Sequence, residues 1–85
     1  MKPEHVHLAE IELYAWLGED ELGSGKIGLK QGIVPAGIIA MVSIERGKLE
    51  KYWPQAEAQA GHYGKRIYFC RFQMVEVVRE TEAGS

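Results

Sequence analysis

Three groups of residues in this chain have the types and spacing that could do chemistry. The first is a glycine run. Residues 23–37, GSGKIGLKQGIVPAG, hold five of the ten glycines, and Gly23, Gly25 and Gly28 spell a literal G-x-G-x-x-G. Backbone amides in such a loop cradle phosphate when the loop follows a strand and opens a helix, so that the helix N-terminus faces the ligand. Here Leu29, Lys30, Gln31, Gly32 and a proline turn follow, and no helical pattern starts before residue 48. The stretch LGSGKIGLK also reads like a kinase glycine-rich loop, but 85 residues cannot hold the lysine strand, catalytic loop and magnesium motif that such a site needs. The run is therefore expected to be a bent or glycine-kinked connection. Lys26 and Lys30 would line it as a possible ligand loop.

The second group is ionisable. His5-x-His7 puts two imidazoles on one strand face, about 7 Å apart, with His62 and Glu76 as further ligands only if the fold brings them in. No metal and no cofactor is expected. Glu10 and Glu12 also share a face, where a solvated or arginine-paired role is expected before acid–base work. Glu19-Asp20-Glu21 lacks the alternating oxygen spacing of a calcium loop. Cys70 lies mid-strand and is expected to be inert in the core. No catalytic residue is assigned. The third group interleaves basic and aromatic residues: Lys48, Lys51, Lys65, Arg66 and Arg71 with Tyr52, Trp53, Tyr63 and Tyr68. Nucleic-acid surfaces use such mixtures. Tyr52, Trp53 and Tyr63, however, fall on an apolar helix stripe where packing is the first expectation.

The elements that would hold these residues are bounded by composition. Eighty-five residues, 46% hydrophobic and 26% charged, make one globular domain over 1–85, with a frayed tail at about 80–85. A chain of this length buries roughly 60–65% of the surface its unfolded form exposes, so its core is thin. One cysteine excludes an internal disulfide, and without a secretory leader a cytoplasmic chain is expected. No apolar stretch reaches the ~20 residues of a membrane span. The net charge of −2 is segregated: six acids and one lysine in residues 1–22, five basic residues and two acids in 23–51. Nucleic acid is not the favoured partner of such a chain.

Alternation over 5–17 (HVHLAEIELYAWL) predicts a long strand, and 65–78 (KRIYFCRFQMVEVV) predicts a second. Residues 18–25 read as a loop, KIGLK as a short strand, Val34–Gly37 as a proline turn, and 38–45 (IIAMVSIE) as a well-buried strand. Leu49, Tyr52, Trp53, Ala56, Ala60 and Tyr63 recur at helical spacing. Pro54 is tolerated only in a first turn, so the helix starts near Trp53, after a lead-in turn at 47–52. The fold class is α+β: a small, mostly antiparallel sheet in β-β-β-α-β order with one helix on one face. The alternative is a partly open small barrel with one helix.

Pairing the long strands so that residue numbers sum to 83 sets Trp16 against Ile67, Tyr14 against Phe69, Glu12 against Arg71 and Leu13 against Cys70. One helix covers one face. The expected open face carries Tyr14, Trp16, Ile67 and Phe69, with Glu12 and Arg71 setting register. So large an apolar patch marks an interface, and a second copy is its commonest cover. The expected function is a non-enzymatic protein-interaction or regulatory module that self-associates as a homodimer through that face, or meets another protein there. Two alternatives are a small-molecule-binding protein or minor enzyme using loop 23–37, and a nucleic-acid-binding module using residues 48–71.

Overall fold

A computed structural model of the chain describes residues 10–20 and 23–82. Its elements follow the order β1 (Glu12–Glu19), β2 (Ile27–Leu29), β3 (Gln31–Val34), β4 (Gly37–Ala40), β5 (Val42–Ser43), α1 (Arg46–Lys51), α2 (Trp53–Tyr63) and β6 (Ile67–Gln73). The fold is α+β: the described residues form a mostly antiparallel sheet and the two helices α1 and α2 with no closed barrel among them, and β6 pairs with β1 alone.

Strand β1 is the centre. Along one edge it pairs with β6, from Glu12 opposite Gln73 to Gly18 opposite Ile67. The other edge is shared, with β5 against Tyr14 and Ala15, and β2 against residues Leu17 to Glu19. Trp16 marks the junction. Its amide donates to the Met41 carbonyl at 3.0 Å, and its carbonyl accepts from the Lys30 amide at 2.9 Å. The Met41 amide closes the circuit on the Lys30 carbonyl at 2.9 Å. Residues 27–43 thus form one interrupted edge strand. The β3–β4 hairpin branches from it between Lys30 and Met41, turning at Pro35 and Ala36.

That branch corrects the reading of 38–45 as one buried strand. The apolar run is broken at Met41, whose side chain is buried, while Ile38 stays exposed on the hairpin. The lead-in turn at 47–52 is itself a helix, α1. It holds an Arg46–Glu50 pair at 2.8 Å, one turn apart. Pro54 occupies the first turn of α2, where its missing amide costs nothing, and Gly64 closes the helix in the left-handed region at φ 67°. The described strand starts at Glu12 instead of residue 5; residues 5–9 lie outside the described residues. It runs on through Gly18 and Glu19, which were expected in the loop.

The core sits between the helices and one face of the sheet. Trp16, Met41, Leu49 and Ala56 form its buried cluster, with Tyr14, Tyr52, Trp53, Ile67 and Phe69 packed around it. Trp53 meets Trp16 edge-on at 5.7 Å between ring centroids and tilts against Phe69 at 5.6 Å; Phe69 in turn meets Tyr14 at 6.3 Å. The antiparallel pairing of the two long strands is as expected, but its register is two residues away. Paired numbers sum to 85, so Trp16 faces Phe69, Tyr14 faces Arg71 and Ala15 faces Cys70. A slip of two preserves which residues share a face. Leu13, Ala15 and Trp16 meet apolar side chains under either sum; the shift moves Arg71 from Glu12 to Tyr14 and replaces Arg66 by Tyr68 opposite Leu17.

Candidate functional site

Two surfaces of the molecule could receive a partner: the side of the sheet away from the helices, and a cleft at its β2 end. Opposed residues of an antiparallel pair share a face. Leu13 and Phe72, Ala15 with Cys70 and Val42, and Leu17 with Tyr68 and Leu29 therefore form one side of the sheet. None of these eight side chains is charged. Leu13, Leu29, Tyr68 and Phe72 keep between 40% and 52% of their surface accessible.

The open side is the reverse of the expected one. Trp16 is 0% exposed, and Tyr14, Ile67 and Phe69 are partly buried against the core, because the stripe of Leu49, Trp53 and Ala56 packs over them. Trp16 therefore has no surface left for a partner. Its indole N–H is buried without an acceptor. Glu12 and Arg71 are not opposite each other but still meet diagonally at 3.8 Å. Glu12 also accepts a hydrogen bond from the Tyr14 hydroxyl at 2.6 Å. That bond, more than any other influence, holds the Tyr14 phenol above its ordinary pKa, because ionisation would break it and set two anions together. Cys70 lies opposite Ala15 on the open side, not against Leu13 in the core.

The cleft, of about 620 Å³, lies between β2, the β3–β4 hairpin and α2. Ile27, Leu29, Ile33, Ile38, Ala58 and Tyr63 give it apolar walls; Lys26, Lys30 and Asp20 are its charged members. The two lysines of the glycine run thus border one cavity, but in unlike states. Lys26 is exposed. Lys30 is only 7% exposed, and its ammonium donates to the Glu19 carbonyl at 2.9 Å, which ties the hairpin junction to the end of β1. The glycines turn the connection: Gly23 and Gly25 sit at φ 78° and 80°, where a side chain would be strained. Asp20 gathers this turn, accepting from both the amide and the hydroxyl of Ser24. No helix opens after the run, so the phosphate-loop geometry is not formed. Gln55 and Gln59, which sequence reasoning passed over, bind the hairpin to α2. Their spacing of four on the margin of the apolar stripe is the signal that marks them as neighbours on one helix face.

The remaining candidates are scattered. Lys65 pairs with Glu19 at 3.5 Å, Lys51 lies over the Tyr52 ring at 5.5 Å, and Tyr52 and Trp53 pack on the core. His62 stacks edge-on with Tyr63 at 4.7 Å. His5 and His7 lie outside the described residues, and among those described no three His, Cys, Asp or Glu side chains gather as a metal site. No described helix is long and apolar enough to cross a membrane. No protein-family model, curated protein or solved structure matches this chain.

Proposed function

We propose that the chain is a non-enzymatic interaction module that associates with a second copy of itself through the open side of its sheet. The observation that carries this reading is the absence of charge across Leu13, Ala15, Leu17, Leu29, Val42, Tyr68, Cys70 and Phe72, a run spanning four strands. Monomers seldom leave an apolar patch of that extent wet. A two-fold copy presents the same patch in return, so each half matches the other without a charge to desolvate. Light scattering over a range of concentrations tests the idea. Wild type is expected at twice the chain mass, and Tyr68→Asp or Phe72→Asp at the single mass. A wild type that is monomeric throughout, or a dimer indifferent to both substitutions, would sink it.

The cleft beside loop 23–37 favours a second reading, in which the chain binds a ligand there. About 300 Å³ is the lower bound for a small-molecule site, and this cleft exceeds it. An anionic, aromatic dye such as anilinonaphthalene sulfonate suits its apolar walls and lysines. Its fluorescence is expected to rise with wild type and to fall back when Ala58→Arg fills the cleft. Equal fluorescence with both proteins would remove this reading.

A further inference from the structure

The backbone lining of the cleft points to what would fill it. In an antiparallel ladder, alternate residues direct their N–H and C=O at the partner strand and the rest direct theirs away. The Lys30 amide bonds to the Trp16 carbonyl, and the Lys26 carbonyl accepts from Asp20. Lys26, Gly28 and Lys30 are therefore turned toward β1. The amides and carbonyls of Ile27 and Leu29 are turned outward, at the strand edge that borders the cleft. Strand β3, on the far side, has the same exposed groups but satisfies them. Gln55 accepts from the Ile33 amide and donates to the Ile33 carbonyl, both at 2.7 Å, and Gln59 donates to the Gln31 carbonyl at 2.8 Å. A helix side chain stands in there for a neighbouring strand. Among the described residues nothing does this for β2. Buried or bordering backbone groups of this kind call for a partner, and an unpaired edge beside an apolar trough is the geometry that accepts an added strand.

The chain carries a segment of matching form. After β6 ends at Gln73, residues 74–82 continue without regular structure, and Val75 and Val78 are 93% and 86% exposed. This segment, MVEVVRETE, opens with the β-favouring residues that strand addition needs and holds three glutamates against one arginine. Lys26, exposed at the border of the cleft, offers this acidic segment a positive charge. The direction of β6 argues against the segment lying along its own chain's cleft, since crossing the sheet would use about six of its nine residues. Strand β6 runs from the Gly18 end of β1 to the Glu12 end, so the tail leaves the sheet at the end away from β2, about 20 Å off at strand spacing. The molecule is drawn out, 47 Å along its longest axis, with a radius of gyration of 15.9 Å where a compact chain of this length has about 12 Å.

We infer that the β2 edge takes residues 74–82 of a second copy as an added strand, seated between β2 and α2 with Val75 and Val77, which share a strand face, on the apolar walls. The inference rests on the cleft being a binding site and does not require the open side of the sheet.

The test uses the full-length protein and a fluorescein-labelled peptide of residues 73–82, read by anisotropy. Saturable binding is expected. It should fall at least tenfold with Ala58→Arg, an exposed helix position lining the cleft. It should fall severalfold with Lys26→Glu and be lost when the peptide carries Val75→Asp and Val77→Asp. Exchange of the Ile27 and Leu29 amides should slow on binding, a change that an electrostatic contact alone would not produce. Absence of saturable binding, or binding indifferent to Ala58→Arg, overturns the proposal. Binding that survives Ala58→Arg but disappears with Tyr68→Asp would move the peptide to the open side, and so overturns it as well. If the dye occupies the cleft and the peptide fails to displace it, the peptide is wrong and the cleft reading stands.

Discussion

The two sides of strand β1 are nearly equal in apolar content, yet they have opposite fates. One side presents Tyr14 and Trp16, with Ile67 and Phe69 from β6, and is sealed under α1 and α2. The other presents Leu13 and Leu17, with Tyr68 and Phe72, and stays open, while Ala15 between them is only 2% exposed. Hydrophobicity by itself therefore does not choose the buried side. The choice falls to shape. Trp53 and Leu49 need a deep partner, and Trp16 offers the largest ring of the sheet to pack against, whereas Leu13 and Leu17 offer a flatter surface suited to another sheet.

Stability measurements separate the two sides most sharply. In urea titrations at dilute protein, Trp16→Ala is expected to cost about 3–5 kcal/mol, the usual range for emptying a buried aromatic site. Leu13→Ala should cost roughly 1 kcal/mol, since its side chain is only half removed from water. Similar losses at both positions would erase the distinction. Trp16→Phe sharpens it. The smaller ring sacrifices contact but also removes an indole N–H that has no acceptor, so its loss should stay well below that of the alanine variant.

A smaller effect probes the glutamine bridge that holds the hairpin over the core. Gln55→Ala is expected to cost about 1–2 kcal/mol, from two hydrogen bonds at roughly 0.5–1.5 kcal/mol each. Gln55→Glu keeps the acceptor for the Ile33 amide and loses the donor to its carbonyl, so it should fall between alanine and wild type. A glutamate variant as stable as wild type would show that the donor half contributes nothing. The smallest effect is spectroscopic. The Tyr14 phenol should titrate above its ordinary range, and Glu12→Gln should move it down, because a neutral amide no longer favours the protonated phenol as a carboxylate does. An absorbance titration at alkaline pH that shows no shift between the two proteins would detach Tyr14 from Glu12.

Side-chain alternation was legible without coordinates. It grouped Tyr14 with Trp16 and Phe69 with Ile67, and the described strands keep those groupings, because a strand's period of two survives any even slip. Pro54 was equally readable: a residue without an amide confines itself to a first turn, and it stands there in α2. The register was not readable, since Leu13, Ala15 and Trp16 meet apolar partners under either sum, and the Glu12–Arg71 attraction that favours 83 survives at 85 as a diagonal contact. Nor was the break at Met41, because residues 38–42 are apolar throughout and the polar residues of IIAMVSIE, Ser43 and Glu45, come after it. The cleft was half visible. Lys26 and Lys30 drew attention as charges beside glycines, but Gln55, Ala58 and Tyr63 come to it from the helix, some thirty residues further along the chain.

The order of residues alone settled which side chains stand together on a strand, where the helix could begin, and that no disulfide could help a thin core. Only the folded arrangement settled which side of the sheet would be sealed, because that depends on how the helical stripe fits the sheet. The same packing spread the edge of β1 over two short strands and left Ile27 and Leu29 with backbone groups turned away from any neighbour within the described chain.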